Sequence, residues 1–360
     1  MMNVGIVAEQ LRQSVPGGIG TYAAGLLKGL VELGDGDLSV TALASRPNGD
    51  DQLGRLEVEV RSSRRSHRVQ IALWDAGLSR PPSDLDVLHR TSLAGPSSRS
   101  GTPATVMVHD LGWRRNPELT TSRGRRWHEA ALGRVLSSPA ELIVPSVGIA
   151  EDLEEAGSSP DRIHVIAEGA DHLPRPDLDA AERLLRRHGI EGEFILTVST
   201  LEPRKNLQAL VAAHDQAARC SEVPPLLIVG PSGWGDVEVA ASDRVVLAGP
   251  ADHGVLAALY ATCTLFAYVP VHEGFGLPPL EAMAQGAPVL TSTAVPSMEH
   301  APVAASVAAS SVEEIADGIV AALGDRAALL AAGSAGRSHA GRSRWVDVAA
   351  AHVALWRELS

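Results

Sequence analysis

His272–Pro288 reads HEGFGLPPLEAMAQGAP, and the order of its parts decides the fold. It continues the apolar run Leu265–Val271, whose β-branched and aromatic residues predict a buried strand. Gly274 and Gly276 come next, then Pro278 and Pro279, then the helix-forming run Leu280-Glu281-Ala282-Met283-Ala284. Strand, glycine loop and helix in that order make one unit of a parallel α/β sheet. Proline is at home in the first turn of a helix, where its missing N–H loses nothing. The two glycines let backbone approach a ligand, and the amides of Gly274, Phe275, Gly276 and Leu277 at the helix start favour an anion. Glu273 and Glu281 bracket the loop at the spacing E-x7-E. Glu281 is expected in the first turn of the helix, facing the same cavity as the loop. A carboxylate accepts two hydrogen bonds and suits a vicinal diol such as a ribose. A phosphate cradle between two diol readers is the pattern expected of a nucleotide-sugar site.

The same unit recurs upstream. Phe194–Val198 predicts a strand, Ser199-Thr200-Leu201-Glu202-Pro203-Arg204-Lys205-Asn206 a loop, and Leu207–Ala218 a helix. Arg204 and Lys205 stand together just before that helix. Two cations with helix N–H groups can hold a diphosphate and the charge that grows on it as it leaves. Two further strands run into glycine loops. Leu226–Val229 leads to Gly230-Pro231-Ser232-Gly233-Trp234-Gly235, and Arg244–Leu247 leads to Ala248-Gly249-Pro250. Near the start, Asn3–Ala8 is followed by Gln13-Ser14-Val15-Pro16-Gly17-Gly18-Ile19-Gly20 and an amphipathic helix, Thr21–Leu33. That spacing is not the G-x-G-x-x-G of a dinucleotide fold, which argues against an oxidoreductase. Ala104–Leu111 is an apolar strand ending on His109 and Asp110, and ligands gather at the carboxyl ends of such strands.

The residues Glu273, Gly274, Phe275, Gly276, Leu277, Pro278, Glu281, Ala282 and Gly286 closely resemble the donor-sugar motif of the retaining glycosyltransferases of family four. Glu-Pro-Arg-Lys-Asn at 202–206 is similar to one branch of that family, the bacterial mannosyl- and rhamnosyltransferases. The resemblance implies the α/β GT-B fold, two Rossmann-like domains facing a central cleft. It implies an N-terminal acceptor domain of residues 1–170 plus 343–360, and a C-terminal nucleotide-sugar donor domain of residues 171–342. By the same resemblance the catalytic group is His109, Arg204, Lys205 and Glu273. Donor contacts are expected from Gly18, Ser199, Gly230, Gly249, Gly274, Phe275, Gly276 and Leu277, with Glu281 on the ribose. Relatives commonly open the Arg-Lys loop with Gly-Arg where this chain has Ser199-Thr200. They have Asn-Gly-Val-Asp where it has Glu168-Gly169-Ala170-Asp171.

The reaction implied is transfer of a hexose, with retention, from a nucleoside-diphosphate sugar to an acceptor hydroxyl. GDP-mannose is the first choice of donor, ahead of UDP-glucose and dTDP-rhamnose. The acceptor is a sugar, a lipid-linked sugar or a small molecule. No metal and no cofactor are expected, since GT-B enzymes generally need no bound metal and no Asp-x-Asp pair sits in a suitable loop. The rivals are a GT-B epimerase or hydrolase acting on nucleotide sugars, and a non-catalytic nucleotide-sugar-binding module.

Composition limits the rest. A chain of 360 residues, 45% hydrophobic and 21% charged, has room for two ordinary cores. Its net charge of −12 argues against a nucleic-acid partner. Cys220 and Cys263 have neither metal-ligand nor disulfide-framework spacing. No apolar run reaches the roughly 20 residues that span a bilayer, and a cytoplasmic protein is expected. Arg114–Arg134 carries six arginines with Trp113 and Trp127. It reads as a solvated basic face, or as a surface for an anionic acceptor or the inner membrane face.

Overall fold

A computed structural model of the chain describes residues 1–13, 15–47, 52–98, 101–233, 239 and 244–360. Ser14, Trp234 and Gly235, members of two of the glycine-rich loops, lie outside the described residues. The chain begins with β1 (Met2–Val7), α1 (Gly17–Leu33), β2 (Leu38–Ala44), β3 (Glu59–Ser62) and α2 (His67–Asp75). Next come β4 (Val87–Arg90), β5 (Ala104–Met107), α3 (Gly112–Arg115), α4 (Ser122–Leu136), β6 (Glu141–Val144), α5 (Val147–Glu155) and β7 (Ile163–Val165). A second series begins with α6 (Leu178–Arg187), β8 (Ile195–Val198), α7 (Leu207–Cys220), β9 (Leu226–Val229), β10 (Val245–Gly249), α8 (His253–Thr262) and β11 (Leu265–Tyr268). It ends with α9 (Leu277–Gln285), β12 (Val289–Ser292), β13 (Ala305–Val307), α10 (Val312–Gly324) and α11 (Arg326–Ala340), and α12 (Trp345–Leu359) closes the chain.

Two compact units result, Met1–Gly169 with Arg344–Ser360, and Ala170–Ser343. The first holds a seven-stranded sheet in the order β3-β2-β1-β4-β5-β6-β7, the second a six-stranded sheet in the order β10-β9-β8-β11-β12-β13. Every pairing in both sheets is parallel. The second order is the Rossmann order 3-2-1-4-5-6 counted from β8, and the first extends it by one strand. The strands are continuous apolar runs because helices cover both faces, and Val4, Ile6 and Val7 of β1 are all essentially inaccessible.

In the first unit Tyr22, Ala23, Leu26, Leu27 and Leu30 of α1 are buried at helical spacing. Gly34, at φ +61°, ends the helix in the left-handed conformation. α12 lies against α1. A Cβ on Gly25 would fall 2.1 Å from the Trp345 ring, and one on Gly29 would fall 2.2 Å from the Trp345 carbonyl oxygen. The two glycines therefore set how closely the last helix approaches.

A buried chain of hydrogen bonds fixes the same helix. The Trp356 indole N–H donates to Thr105 Oγ1 at 3.1 Å, and Thr105 lies 2.8 Å from His89 Nδ1. Tyr22 Oη lies 3.0 Å from His89 Nε2 and 2.8 Å from His352 Nε2. His352 Nδ1 is 2.8 Å from the Val348 carbonyl, which can only accept. His352 Nε2 must then accept from Tyr22, Tyr22 from His89 Nε2–H, and His89 Nδ1 from Thr105. Both histidines are neutral in this arrangement. Burial lowers the pKa of each, that of His352 to about 4.

Several elements differ from the sequence reading. β11 ends at Tyr268, so Val269–Val271 already belongs to the loop. Gly17 and Gly18 form the first turn of α1 rather than a loop before it. Among the described residues no helix is long and apolar enough to cross a membrane.

Candidate active site

In an open α/β sheet the crevice lies outside the carboxyl ends of the strands, where the strand order reverses. In the second unit that point falls between β8 and β11. The loop after β8 carries Arg204 and Lys205, and the loop after β11 carries Glu273. The structure brings the three together. Lys205 Nζ donates to Glu273 Oε1 at 2.6 Å, and Arg204 Nη1 to Glu273 Oε2 at 3.0 Å. Arg204 also reaches the His272 carbonyl at 3.3 Å and Glu202 Oε1 at 3.1 Å. The Val271 N–H donates to the Arg204 carbonyl at 3.0 Å, which ties the two loops by backbone as well.

Tyr268, the last residue of β11, completes the cluster. Its hydroxyl donates to Glu273 Oε1 at 2.8 Å and accepts from Lys205 Nζ at 2.9 Å. The Glu273 side chain is only 8% exposed. Burial pushes its carboxyl up, but the charges of Arg204 and Lys205 and the hydrogen bonds from Lys205 and Tyr268 outweigh burial and bring its pKa down to about 2. Burial and the Glu273 charge push the Tyr268 phenol well above its ordinary value, so it stays a neutral donor. Asn206 holds the loop's far end. It is the one non-glycine at positive φ among the described residues (+58°), and its amide donates to the Val269 and Ala309 carbonyls at 3.1 and 2.8 Å.

The glycine loop then enters α9. Gly276 caps the helix at φ +97°, where a Cβ would fall 2.3 Å from Val295 Cγ1. Position 276 thus requires glycine on two counts. Ser297 fastens the loop, its hydroxyl donating to the Gly276 carbonyl at 2.8 Å and its N–H to the Phe275 carbonyl at 2.9 Å. Leu277, the first residue of α9, is buried. Glu281 lies in the second turn of α9, not the first, because the helix starts at Leu277. Its carboxylate is also engaged within the protein. Tyr260 Oη donates to Oε2 at 2.9 Å, and His172 Nε2 lies 3.0 Å from Oε1. Burial pushes the Glu281 carboxyl up, and the His172 and Tyr260 interactions prevail and lower it.

The remaining residues named from the sequence fall in different settings. Ser199 is buried, its N–H donates to the Val229 carbonyl at 3.0 Å, and its Oγ has no hydrogen-bond partner among the described residues. Gly230 packs on it: at φ +149°, a Cβ there would fall 1.9 Å from the Ser199 carbonyl oxygen. Gly249, at φ +72°, faces open space. In the first unit Gly18 is exposed in the opening turn of α1, again with open space around it. His109 follows β5. Its Nδ1 lies 3.2 Å from Glu168 Oε1 and its Nε2 3.0 Å from the Thr91 carbonyl. Asp110 accepts the Gly112 N–H at 2.8 Å, a turn-capping role. The basic face at 114–134 is partly neutralised: Arg114 pairs with Glu129 at 2.6 Å, Arg115 with Asp152 and Arg134 with Asp75. Arg123, Arg125 and Arg126 are exposed.

Sequence reasoning misses Tyr268, Tyr260, His172 and the service of Glu168 to His109. Of these only Tyr268 carries a local signal, a polar aromatic at the end of an otherwise apolar strand. Among the described residues no group of three or more His, Cys, Asp or Glu is placed to hold a metal ion.

Known proteins share this architecture. Residues 16–172 match the family model for Glycosyltransferase Family 4, and residues 192–325 that for Glycosyl transferases group 1. HepE of Anabaena, solved in complex with UDP and glucose, superposes with a TM-score of 0.72 at 18% identity, covering 99% of this chain and 100% of that one. The chain has the two-domain GT-B fold. The serotype-specific mannosyltransferase WbdA of Escherichia coli is 30% identical over 174 residues, 45% of this chain. This GT-B chain spans only 20% of the length of WbdA. The MMP alpha-(1->4)-mannosyltransferase of Mycolicibacterium hassiacum is 26% identical over 331 residues, 77% of this chain and 78% of the relative.

Proposed function

We propose that the chain transfers a hexose, with retention of configuration, from a nucleoside-diphosphate sugar to an acceptor hydroxyl. The observation that carries this reading is the meeting of Arg204, Lys205 and Glu273 at the β8/β11 switch point. Two cations are held there by one buried carboxylate, beside the amides of Gly274–Leu277 at the start of α9. A diphosphate entering this place meets preformed positive charge, and such charge is worth most as the leaving group develops its own. In this reading the second unit binds the donor and the first binds the acceptor, which is a sugar, a lipid-linked sugar or a small molecule. Glu273 orients sugar hydroxyls and Glu281 the ribose. His109 faces the transferred sugar or the acceptor.

GDP-mannose is the donor to try first. The mannosyltransferase names of WbdA and the Mycolicibacterium hassiacum relative support mannose, and the UDP and glucose bound by HepE keep UDP-glucose second. The charge that stabilises departure comes from Arg204, Lys205 and backbone amides, so the reading assigns the reaction no resident metal or cofactor. The place of work is the cytoplasm. The exposed Arg123, Arg125 and Arg126 at the start of α4 leave a small basic surface for an anionic acceptor.

A thermal-shift panel of UDP, GDP and dTDP selects the base. The matching nucleotide sugars are then incubated with and without candidate acceptors, and products are resolved by mass spectrometry. Transfer to an acceptor supports the proposal. Free sugar or an isomerised donor as the sole product assigns a hydrolase or epimerase instead, and nucleotide binding with no turnover assigns a binding module.

A further inference from the structure

The site of His109 differs from an ordinary histidine site in one respect: both ring nitrogens face atoms that accept. The Thr91 carbonyl, 3.0 Å from Nε2, has no proton to give. Glu168 Oε1, 3.2 Å from Nδ1, belongs to a carboxylate only 4% exposed. A neutral imidazole has one N–H and satisfies one of these two acceptors; an imidazolium satisfies both. The Tyr22 ring stands edge-on to His109 with centroids 5.0 Å apart, and its hydroxyl is already committed to His89 and His352. The other titratable groups facing the ring are Asp110 beside it in the chain and His89 from β4, the latter neutral by its own hydrogen bonds.

We propose that Glu168 is a positioning residue that keeps His109 an imidazolium, with both N–H groups already donated. His109 then presents a bound ligand with a fixed positive charge and a ring edge, and it carries no proton to or from the reacting atoms. This deepens the role of His109 in the proposed function and rests on that function for any effect on transfer. Direction agrees with geometry. Burial works against the charge on His109, but the Glu168 hydrogen bond and charge and the Thr91 carbonyl outweigh it and raise the pKa. The cation is therefore present below that raised pKa and is lost as pH rises through it.

NMR of ring-labelled histidine measures the charge directly, without any donor or acceptor. In the wild-type protein His109 is expected to titrate above the ordinary histidine range. In Glu168→Gln its midpoint is expected to fall, and in Glu168→Asp to recover. A wild-type His109 that titrates at or below the ordinary range overturns the proposal, as does a midpoint unchanged in Glu168→Gln. Should Glu168→Gln not fold, the wild-type titration and Glu168→Asp decide alone. The second readout is the pH profile of transfer, whose alkaline limb is expected to move to lower pH in Glu168→Gln and back in Glu168→Asp. An alkaline limb that does not move while the NMR midpoint does overturns the assigned role of the charge. Absence of transfer with every donor sinks the functional reading, and the NMR titration still judges the Glu168–His109 pair.

Discussion

Replacing Glu273 by glutamine tests the centre of the second unit. The substitution keeps shape and one acceptor oxygen but removes the charge that holds Arg204 and Lys205. The pKa of Glu273 lies at about 2 against an ordinary 4.5. That difference corresponds to about 3 kcal/mol of stability at neutral pH. The sign follows from the direction: a carboxyl lowered by folding contributes fully above its unfolded pKa and loses the contribution as pH falls toward the folded one. Urea unfolding at pH 7 is expected to show the variant less stable by that amount, with the thermal midpoint of the second unit lower by roughly 6–12 °C. The gap is expected to narrow as pH falls from 4.5 toward 2, because the wild type then protonates the same group. Nucleoside-diphosphate binding, measured by calorimetry, is expected to hold or tighten, since Arg204 and Lys205 lose an internal acceptor, while transfer falls. A variant as stable as the wild type at pH 7, or a gap that ignores pH, refutes the reasoning.

Lys205→Ala is expected to lower turnover by roughly 10²-fold or more, as for loss of an electrostatic transition-state contact; near-normal steady-state rates count heavily against the proposed function. Glu281→Ala is expected to weaken donor binding in calorimetry, and His172→Ala to do so in the same direction by releasing the carboxylate it holds. Unchanged affinity in Glu281→Ala removes the ribose role. Gly29→Ala places a Cβ 2.2 Å from the Trp345 carbonyl oxygen, and overpacking of this kind is expected to destabilise the first unit by about 1–3 kcal/mol; an unshifted melting curve shows that α1 and α12 can move apart. Acid is expected to loosen the same unit. The fall of His352 from 6.5 to about 4 is worth roughly 3 kcal/mol, fully present above pH 6.5 and lost as pH falls toward 4. His352→Gln should flatten that slope in urea unfolding, and an unchanged slope contradicts the neutral chain through Tyr22.

The sequence discloses the strand–loop–helix units because parallel strands covered on both faces are unbroken apolar runs, and glycine and proline punctuate the loops after them. β8, β11 and β12 are legible for that reason. β13 is not, since Ala305-Ser306-Val307 is three residues long and half exposed. α11 runs through two glycines, Gly333 and Gly336. In the structure they are places of close approach: a Cβ on Gly333 would fall 2.6 Å from the Gly286 carbonyl oxygen, and one on Gly336 3.1 Å from Met283 Cγ. The sequence puts the domain limits at 170/171 and 342/343, and the units divide at 169/170 and 343/344. Within the site, Arg204, Lys205 and Glu273 are legible as residue types in a recognisable order. Tyr268, five residues before Glu273, shows only as a polar aromatic at the end of an apolar strand, whereas His172 at Glu281 and Glu168 at His109 acquire meaning only when the chain folds distant positions into hydrogen-bonding reach.

The charges of the site also bear on where the acceptor's proton goes in the proposed reaction. Glu273, with a pKa near 2 and salt-bridged through both oxygens, is too weak a base to take it at neutral pH. Glu281 is likewise lowered and already accepts from Tyr260 and His172. In the proposed imidazolium His109 has both N–H groups donated to internal acceptors and no lone pair for a proton. Tyr268 and Tyr260 are pushed above their ordinary values and remain neutral. The two carboxylates are thus fixed charges and the two tyrosines fixed donors, and none of these four is poised near neutrality as a general base should be. What remains among the groups of the proposed reaction is the leaving diphosphate, which gains negative charge as the sugar departs. Arg204 and Lys205 stabilise that charge but also make the phosphate a poorer base, so their strength must be balanced. The partial neutralisation of both cations by Glu273 supplies such a balance.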